Sequence, residues 1–590
     1  MDEVRAPAGD AVAERDQPDA CSAPLSAWPR VGLLSGAAGA LAACAGADGS
    51  DGVDGQPAAP QRRASAVAPA PAEAGDVMAA AARFLLQAQF SATDAEIESV
   101  LALGYDGWLS LQHGIPERRG CYDWLVAVGY TTNVPESGHQ HWVDRMIWHH
   151  LIAAPGQMRQ RLTLALSEMF VVSASSMCDR WPACFMGAYW DVLSQNVFGN
   201  FRALLHDVTL NAAMGRYLNT YGNERENEAT GRRPDENYAR ELMQLFTIGL
   251  VQLQPDGTPA PGAPSTYTEE DVRNLARVFT GYDLDMTGTS MIPWSPEYIQ
   301  GPERARNPMV LDPSKHSSQP VSFLGCSIAA GTPGAAALAT GLDALFNHPN
   351  VGPFFARQMI QRLVTSNPSP EYVGRVAAVF DNNGSRVRGD MKAFWRAILL
   401  DPEARTVSTS PRAGKVREPM VRAIQWARTF NATSIDGLWR VPDQSATEWG
   451  LAQSPLRSPS VFNFFRPGYV PPNTGIAGQA GMVAPEFQLH NESSIVGYLN
   501  YLRYWISQGF GEDGSIKANY DFLMDLAADA PGLVDWMNIH LTGRQLSADT
   551  VATIVGSLNS YPVSGPKTKL NRIHAAILLV MSSPEYIVQK

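Results

Sequence analysis

The stretch Arg233-Pro234-Asp235-Glu236-Asn237-Tyr238-Ala239-Arg240-Glu241-Leu242-Met243-Gln244-Leu245-Phe246-Thr247-Ile248-Gly249 carries a helix start, two unlike faces and a glycine stop. Pro234 suits a first helical turn, where a missing N–H costs nothing. Asp235 and Glu236 place negative charge at the positive end of the helix dipole. Gly249 is a natural C-terminal cap. At the helical period, Asn237, Arg240, Glu241 and Gln244 share one face, and Tyr238, Leu242, Leu245 and Phe246 share the other. The second face asks for a core, and the first is dense in amide, guanidinium and carboxylate groups.

Outward from this segment the pattern stays helical. Met78 to Phe90 reads as an apolar helix. Thr93-Asp-Ala-Glu96 is a capping box opening a helix that Gly104 ends, and a short helix follows over Asp106 to His113. Gln157 to Val172 has two arginines near its start and an apolar body. Thr268-Glu-Glu-Asp271 caps another helix. Two long excursions rich in Pro, Gly and aromatic residues interrupt the pattern, at Gly281 to about Thr332 and at Pro455 to Pro485. Loops of that length inside a folded region are usually functional or disordered, and the aromatic content of the second argues for order. The fold class expected is therefore mainly α, a multi-helix globular fold with two loop excursions and at most minor β. Residues 76–590 form the folded region, with a possible division into two subdomains near 281–335.

The chain has 590 residues, a hydrophobic share of 45%, a charged share of 18% and a net charge of -12. No basic run or basic domain appears, so a nucleic-acid partner is not expected. No Gly-x-Ser-x-Gly elbow, P-loop or Gly-x-Gly-x-x-Gly before a helix is present, which lowers serine hydrolase, NTPase and dinucleotide readings.

Val31 to Ala43 is an apolar run of signal-peptide length preceded by Arg30, and it ends in Leu41-Ala42-Ala43-Cys44, similar to a bacterial lipobox. Read so, residues 1–44 are a leader, Cys44 is lipidated, and residues 45–75 are an Ala/Pro tether holding the folded region at a membrane surface. The 29 residues before Arg30 are acidic, which suits a start codon placed too far upstream; the plainer reading is an Ala-rich N-terminus with a chance cysteine. In an exported protein Cys178 and Cys184 can close a local disulfide. In a cytosolic one they are free thiols.

Several segments resemble one bacterial family, catalogued as domain of unknown function 1800. They include Ala81-Arg-Phe-Leu-Leu85, Gly104-Tyr-Asp-Gly-Trp108, Arg159-Gln-Arg161, Met214-Gly-Arg-Tyr-Leu218, the central segment Pro234 to Gly249, and Ser458-Pro-Ser-Val-Phe462. The resemblance runs from about Met78 onward. It implies export to the periplasm or cell envelope, a mostly helical fold and frequent gene pairing with an exported sulfatase-like family. It implies no established reaction and no known cofactor. The family usually has asparagine at the place of Asp235 and often glutamate at that of Gln244. Its aspartate and lysine after the histidine at 316 are here Ser317 and Val321.

Two sets of residues carry candidate chemistry. On the polar face of the focal helix, Glu241 suits a general base or acid, Arg240 an anion clamp, and Asn237 and Glu236 their hydrogen-bonding partners, with His316 or His348 joining them if all converge on one open cleft. That reading makes the protein an envelope hydrolase working through carboxylates. The alternative is a buried polar network, with Glu236 and Arg240 as an i,i+4 pair, in a non-catalytic binding or assembly partner of the sulfatase-like protein. His139 and His141, with Asp144 nearby, have the residue types of a transition-metal site. The alternative is surface histidines beside core ones on the next helix.

Overall fold

The computed structural model describes residues 74–590 apart from 178, 295 and 478–480. The leader, most of the tether, Cys44 and the Cys178 end of the expected disulfide lie outside the described residues. The described chain is mainly α-helical, with short strands that pair only in antiparallel twos.

Caps set most boundaries. Asn200, Asn211, Ser369, Asp390 and Ser547 each accept a hydrogen bond from a backbone N–H of the first turn that follows, satisfying a donor the helix leaves open. Both capping boxes expected at Thr93 and Thr268 are present. Gly104 acts as foreseen: its backbone leaves helical geometry at φ 67°, kinking the Asp94–Gly114 helix there.

Inside, Val351–Leu363 packs on Pro370–Asp381, which packs on Met391–Leu399. Phe355 stacks on Phe394 with centroids 4.6 Å apart, and Phe201 closes on Phe355 at the same distance. At the other end Ala530–Thr542, Pro566–Ser582 and Ala74–Ala88 pack together. Arg83 donates to the Gly543 carbonyl at 3.0 Å, so the first described helix is fastened to the C-terminal region. A single apolar core runs through Glu73–Lys590, which form one compact unit.

The first excursion holds three short antiparallel strand pairs, Tyr282–Asp283 with Val310–Leu311, Met291–Trp294 with Glu297–Gln300, and Val321–Phe323 with Cys326–Ile328, the last two of them hairpins. The last packs on the Glu269–Ala276 helix, so this stretch is fastened to the helices on either side. Among the described residues, no helix is long and apolar enough to cross a membrane.

Candidate functional site

The focal segment is helical over a shorter and less regular span than its pattern predicts. Pro234 lies outside; the α-helix is Asn237–Glu241 and continues as a π-helix over Leu242–Thr247. The wider π turn is closed by Ile248 N to Met243 O at 3.0 Å and by the Thr247 hydroxyl to Leu242 O at 2.6 Å. Gly249 then ends the helix at φ +70°, its N–H also reaching Met243 O at 2.9 Å. A Cβ there would stand 2.8 Å from the Phe354 ring, so glycine is required by backbone and space alike.

The insertion of a π turn redistributes the two faces. Tyr238, Leu242 and Phe246 are buried as expected. Leu245 is only half-buried, and with Gln244 it borders a cavity. Glu241, expected on the open face, is 8% exposed. Its Oε2 has no hydrogen-bond partner among the described residues. Burial raises its pKa, and Arg240 opposes that in part.

Arg240 is consumed by other carboxylates. It makes two bonds of 2.8 Å to Glu269 and one of 3.2 Å to Glu236. That is the i,i+4 pair of the structural reading, extended to a neighbouring helix. Asn237 opens the helix, its N–H donating to Asp235 Oδ1 at 2.8 Å. His316 is buried elsewhere: its Nδ1 lies 2.9 Å from the Thr280 carbonyl, and the small cleft it borders contains neither Arg240 nor Glu241. His348 Nδ1 accepts from Asn350 N at 3.1 Å, a role at the start of the next helix. The structure therefore does not bring the proposed catalytic residues onto one open cleft.

Asp144, the acid nearest His139 and His141 in sequence, is buried against Arg457, with contacts of 2.6 and 3.0 Å. The carboxylate that meets the two histidines is Glu136, whose Oε2 lies 3.0 Å from His139 Nδ1 and 3.2 Å from His141 Nε2. Cys184 is buried at the start of the Pro182–Asn196 helix.

A cavity of about 340 Å³ opens between the π segment, the Val351–Leu363 helix and the second excursion. Phe354, Arg357, Gln358 and Gln361 line it at i, i+3, i+4 and i+7, one stripe of one helix. Leu245, Leu250, Val251, Leu253, Phe462 and Pro467 supply apolar walls. Three of its polar groups are already held. Tyr267 donates to Gln244 at 3.1 Å, Arg362 to Gln358 at 2.6 Å, and Gln361 donates to the Ser366 and Pro467 carbonyls at 2.9 and 3.3 Å. The Arg357 side chain has no hydrogen bond or ion pair among the described residues, and partial burial lowers its pKa.

Asn350 fixes the geometry. Its amide donates to Ile248 O at 2.9 Å and Val251 O at 2.8 Å, and its carbonyl accepts from Leu253 N at 2.9 Å. One side chain thus ties the end of the focal segment to the start of the cavity's helix. Sequence reading missed Asn350, Arg357 and Gln361. The 3.6-residue stripe on Val351–Leu363 was the available signal, but nothing in sequence places it opposite Gly249.

Fold and site together define a mainly helical protein with an arginine-bearing cavity beside a π-helical segment. Residues 83–588 match the family model described as protein of unknown function (DUF1800), and the chain belongs to that family. No curated protein and no solved structure matches it.

Proposed function

We propose that this chain is an exported cell-envelope binding protein whose cavity takes a ligand with an apolar body and one anionic group, such as an acyl carboxylate. The observation that carries this is Arg357, an unpaired guanidinium in a largely apolar cavity whose other polar groups are engaged. Ligand sites are commonly apolar concavities of roughly 300–1,000 Å³ with a few fixed polar groups, and a half-buried cation without an ion-pair partner among the described residues selects a counter-charge. Arginine suits a carboxylate because its planar fork can bond both oxygens.

The test is calorimetric titration with decanoate and with decanol. Decanoate should bind the parent and decanol much less. Arg357→Gln should weaken decanoate at least about tenfold, roughly 1.4 kcal/mol, and leave decanol unchanged. Equal binding of decanoate to parent and variant overturns the reading.

The location is part of the same proposal and rests on the leader: Cys44 is acylated and anchors the domain. Mass spectrometry of membrane-extracted chain should find an acylated N-terminal Cys44. A mature chain beginning upstream of Arg30 would sink this. A second reading keeps chemistry at Glu241, favoured by its raised pKa and unpartnered Oε2, with the carboxyl as a general acid in hydrolysis. Loss of activity against envelope esters in Glu241→Gln, without loss of fold, is its test.

A further inference from the structure

We propose that Glu136, His139 and His141 bind one late first-row divalent cation, zinc foremost, with a fourth position left for water. The three side chains each offer one ligand atom, and those atoms lie within 4.8 Å of one another. Zinc bonds of about 2.0–2.2 Å in tetrahedral geometry separate ligand atoms by roughly 3.3–3.6 Å. The two nitrogen–carboxylate separations, 3.0 and 3.2 Å, need only a few tenths of an ångström of opening to match. Two imidazoles and a carboxylate are a donor set suited to zinc and its neighbours rather than to calcium or magnesium.

The loop that carries the site is built before any ion arrives. Ser137 is 1% exposed, and its carbonyl accepts from Trp181 N at 2.5 Å and from the Tyr130 hydroxyl at 3.1 Å. His139 N donates to Glu136 O at 3.0 Å, closing the turn between the two ligands. The Trp142 indole N–H donates to Glu136 Oε2 at 3.0 Å, orienting the carboxylate as outer-shell bonds do in metal sites. His141 opens the His141–Ala153 helix, so its ring is fixed to a buried element.

Nearby charge does not forbid a cation. Arg145 lies close to His141 but pairs with Glu512 at 3.8 Å, and Arg440 pairs with Asp436 at 2.5 Å.

The test uses the full chain made without a polyhistidine tag. Equilibrium dialysis against zinc, followed by metal analysis, should give one zinc per chain, and cobalt(II) in its place should give the intense visible bands of a low-coordinate site. His139 is more than half exposed, so His139→Ala should fold normally while losing zinc affinity. The loss should be at least the ~10–100-fold that follows removal of a mere supporting bond. Glu136→Gln should lose zinc comparably, and His206→Ala, at an exposed histidine paired with Asp207, should lose none. A His139→Ala chain that holds zinc as the parent does, or a parent that holds none, overturns the proposal.

Discussion

At Glu241 burial and charge pull against each other within one side chain. Burial raises its pKa and Arg240 offsets this incompletely, because Arg240 is shared between Glu236 and Glu269. The folded chain therefore holds the Glu241 proton more tightly than the unfolded chain does. Its contribution favours folding at low pH and is lost as pH rises through the folded pKa. At neutral pH the ionised group, with Oε2 unpartnered, works against the fold. Glu241→Gln keeps the shape and removes the charge. It should melt no lower than the parent at neutral pH, and any advantage should shrink on acidification toward the ordinary carboxyl range. Paired thermal melts at the two pH values check this. A clear loss of melting temperature at neutral pH would mean that the carboxylate has a stabilising partner.

At the scale of the element, the π turn decides which side chains the focal segment buries. Leu242 is fully buried, and Leu245, one helical turn on, borders the cavity instead. Leu242→Ala should cost about 2–5 kcal/mol, because it empties a packed site. Leu245→Ala should cost distinctly less, since little is packed on its cavity side. Urea denaturation of both variants orders them, and equal costs would restore the regular helix that the pattern predicts. This also marks where the sequence was legible. Thr93, Thr268, Gly104 and Gly249 act as read, since a cap or a positive-φ stop depends on a few neighbouring residues. The slip to i→i+5 bonding leaves no mark in the periodicity. It depends on tertiary contacts such as Tyr267 to Gln244 and Phe354 against Gly249. The cavity was illegible for the same reason: its walls come from segments far apart in the chain. The metal ligands were half legible. The two histidines stand out by spacing, but the choice of Glu136 over Asp144 is made by Arg457, more than three hundred residues away.

The whole molecule is tied together by charge as well as by its core. Arg161 comes from within the Gln157–Ser167 helix and Glu168 from its C-terminal cap, Arg362 from the cavity's helix, Lys415 from the Lys415–Val416 strand, Glu418 from the start of Pro419–Thr429, and Glu486 from Pro485–Leu489. All are buried. Lys415 Nζ meets Glu486 at 3.1 Å, Glu418 at 3.5 Å and the Arg362 carbonyl at 2.7 Å, and Gln453 donates to Glu418 at 2.7 Å. Glu168 and Glu418 repel each other in the interior, which favours keeping a proton on one of them. Burial, and then the charge of Glu418, push Glu168 well above the carboxyl range. Burial acts the same way on Glu418, but Lys415, Arg161 and the bond from Gln453 outweigh it and hold its pKa low. The proton therefore sits on Glu168, with Glu418 ionised beside Lys415. Glu168→Gln substitutes one neutral side chain for another, and should change stability by no more than about 1.5 kcal/mol, the scale of a single hydrogen bond. Glu418→Gln leaves Lys415 short of a counter-charge in the interior and should cost about 3–5 kcal/mol. The last strand, Val588–Gln589, pairs with Lys415–Val416, and Gln589 also reaches the Leu363 carbonyl at 3.1 Å. Loosening the cluster should therefore free the C-terminus before the core unfolds. Urea melts at neutral pH, with proteolysis at the C-terminus followed in parallel, measure both effects. The reverse order of costs would put the proton on Glu418.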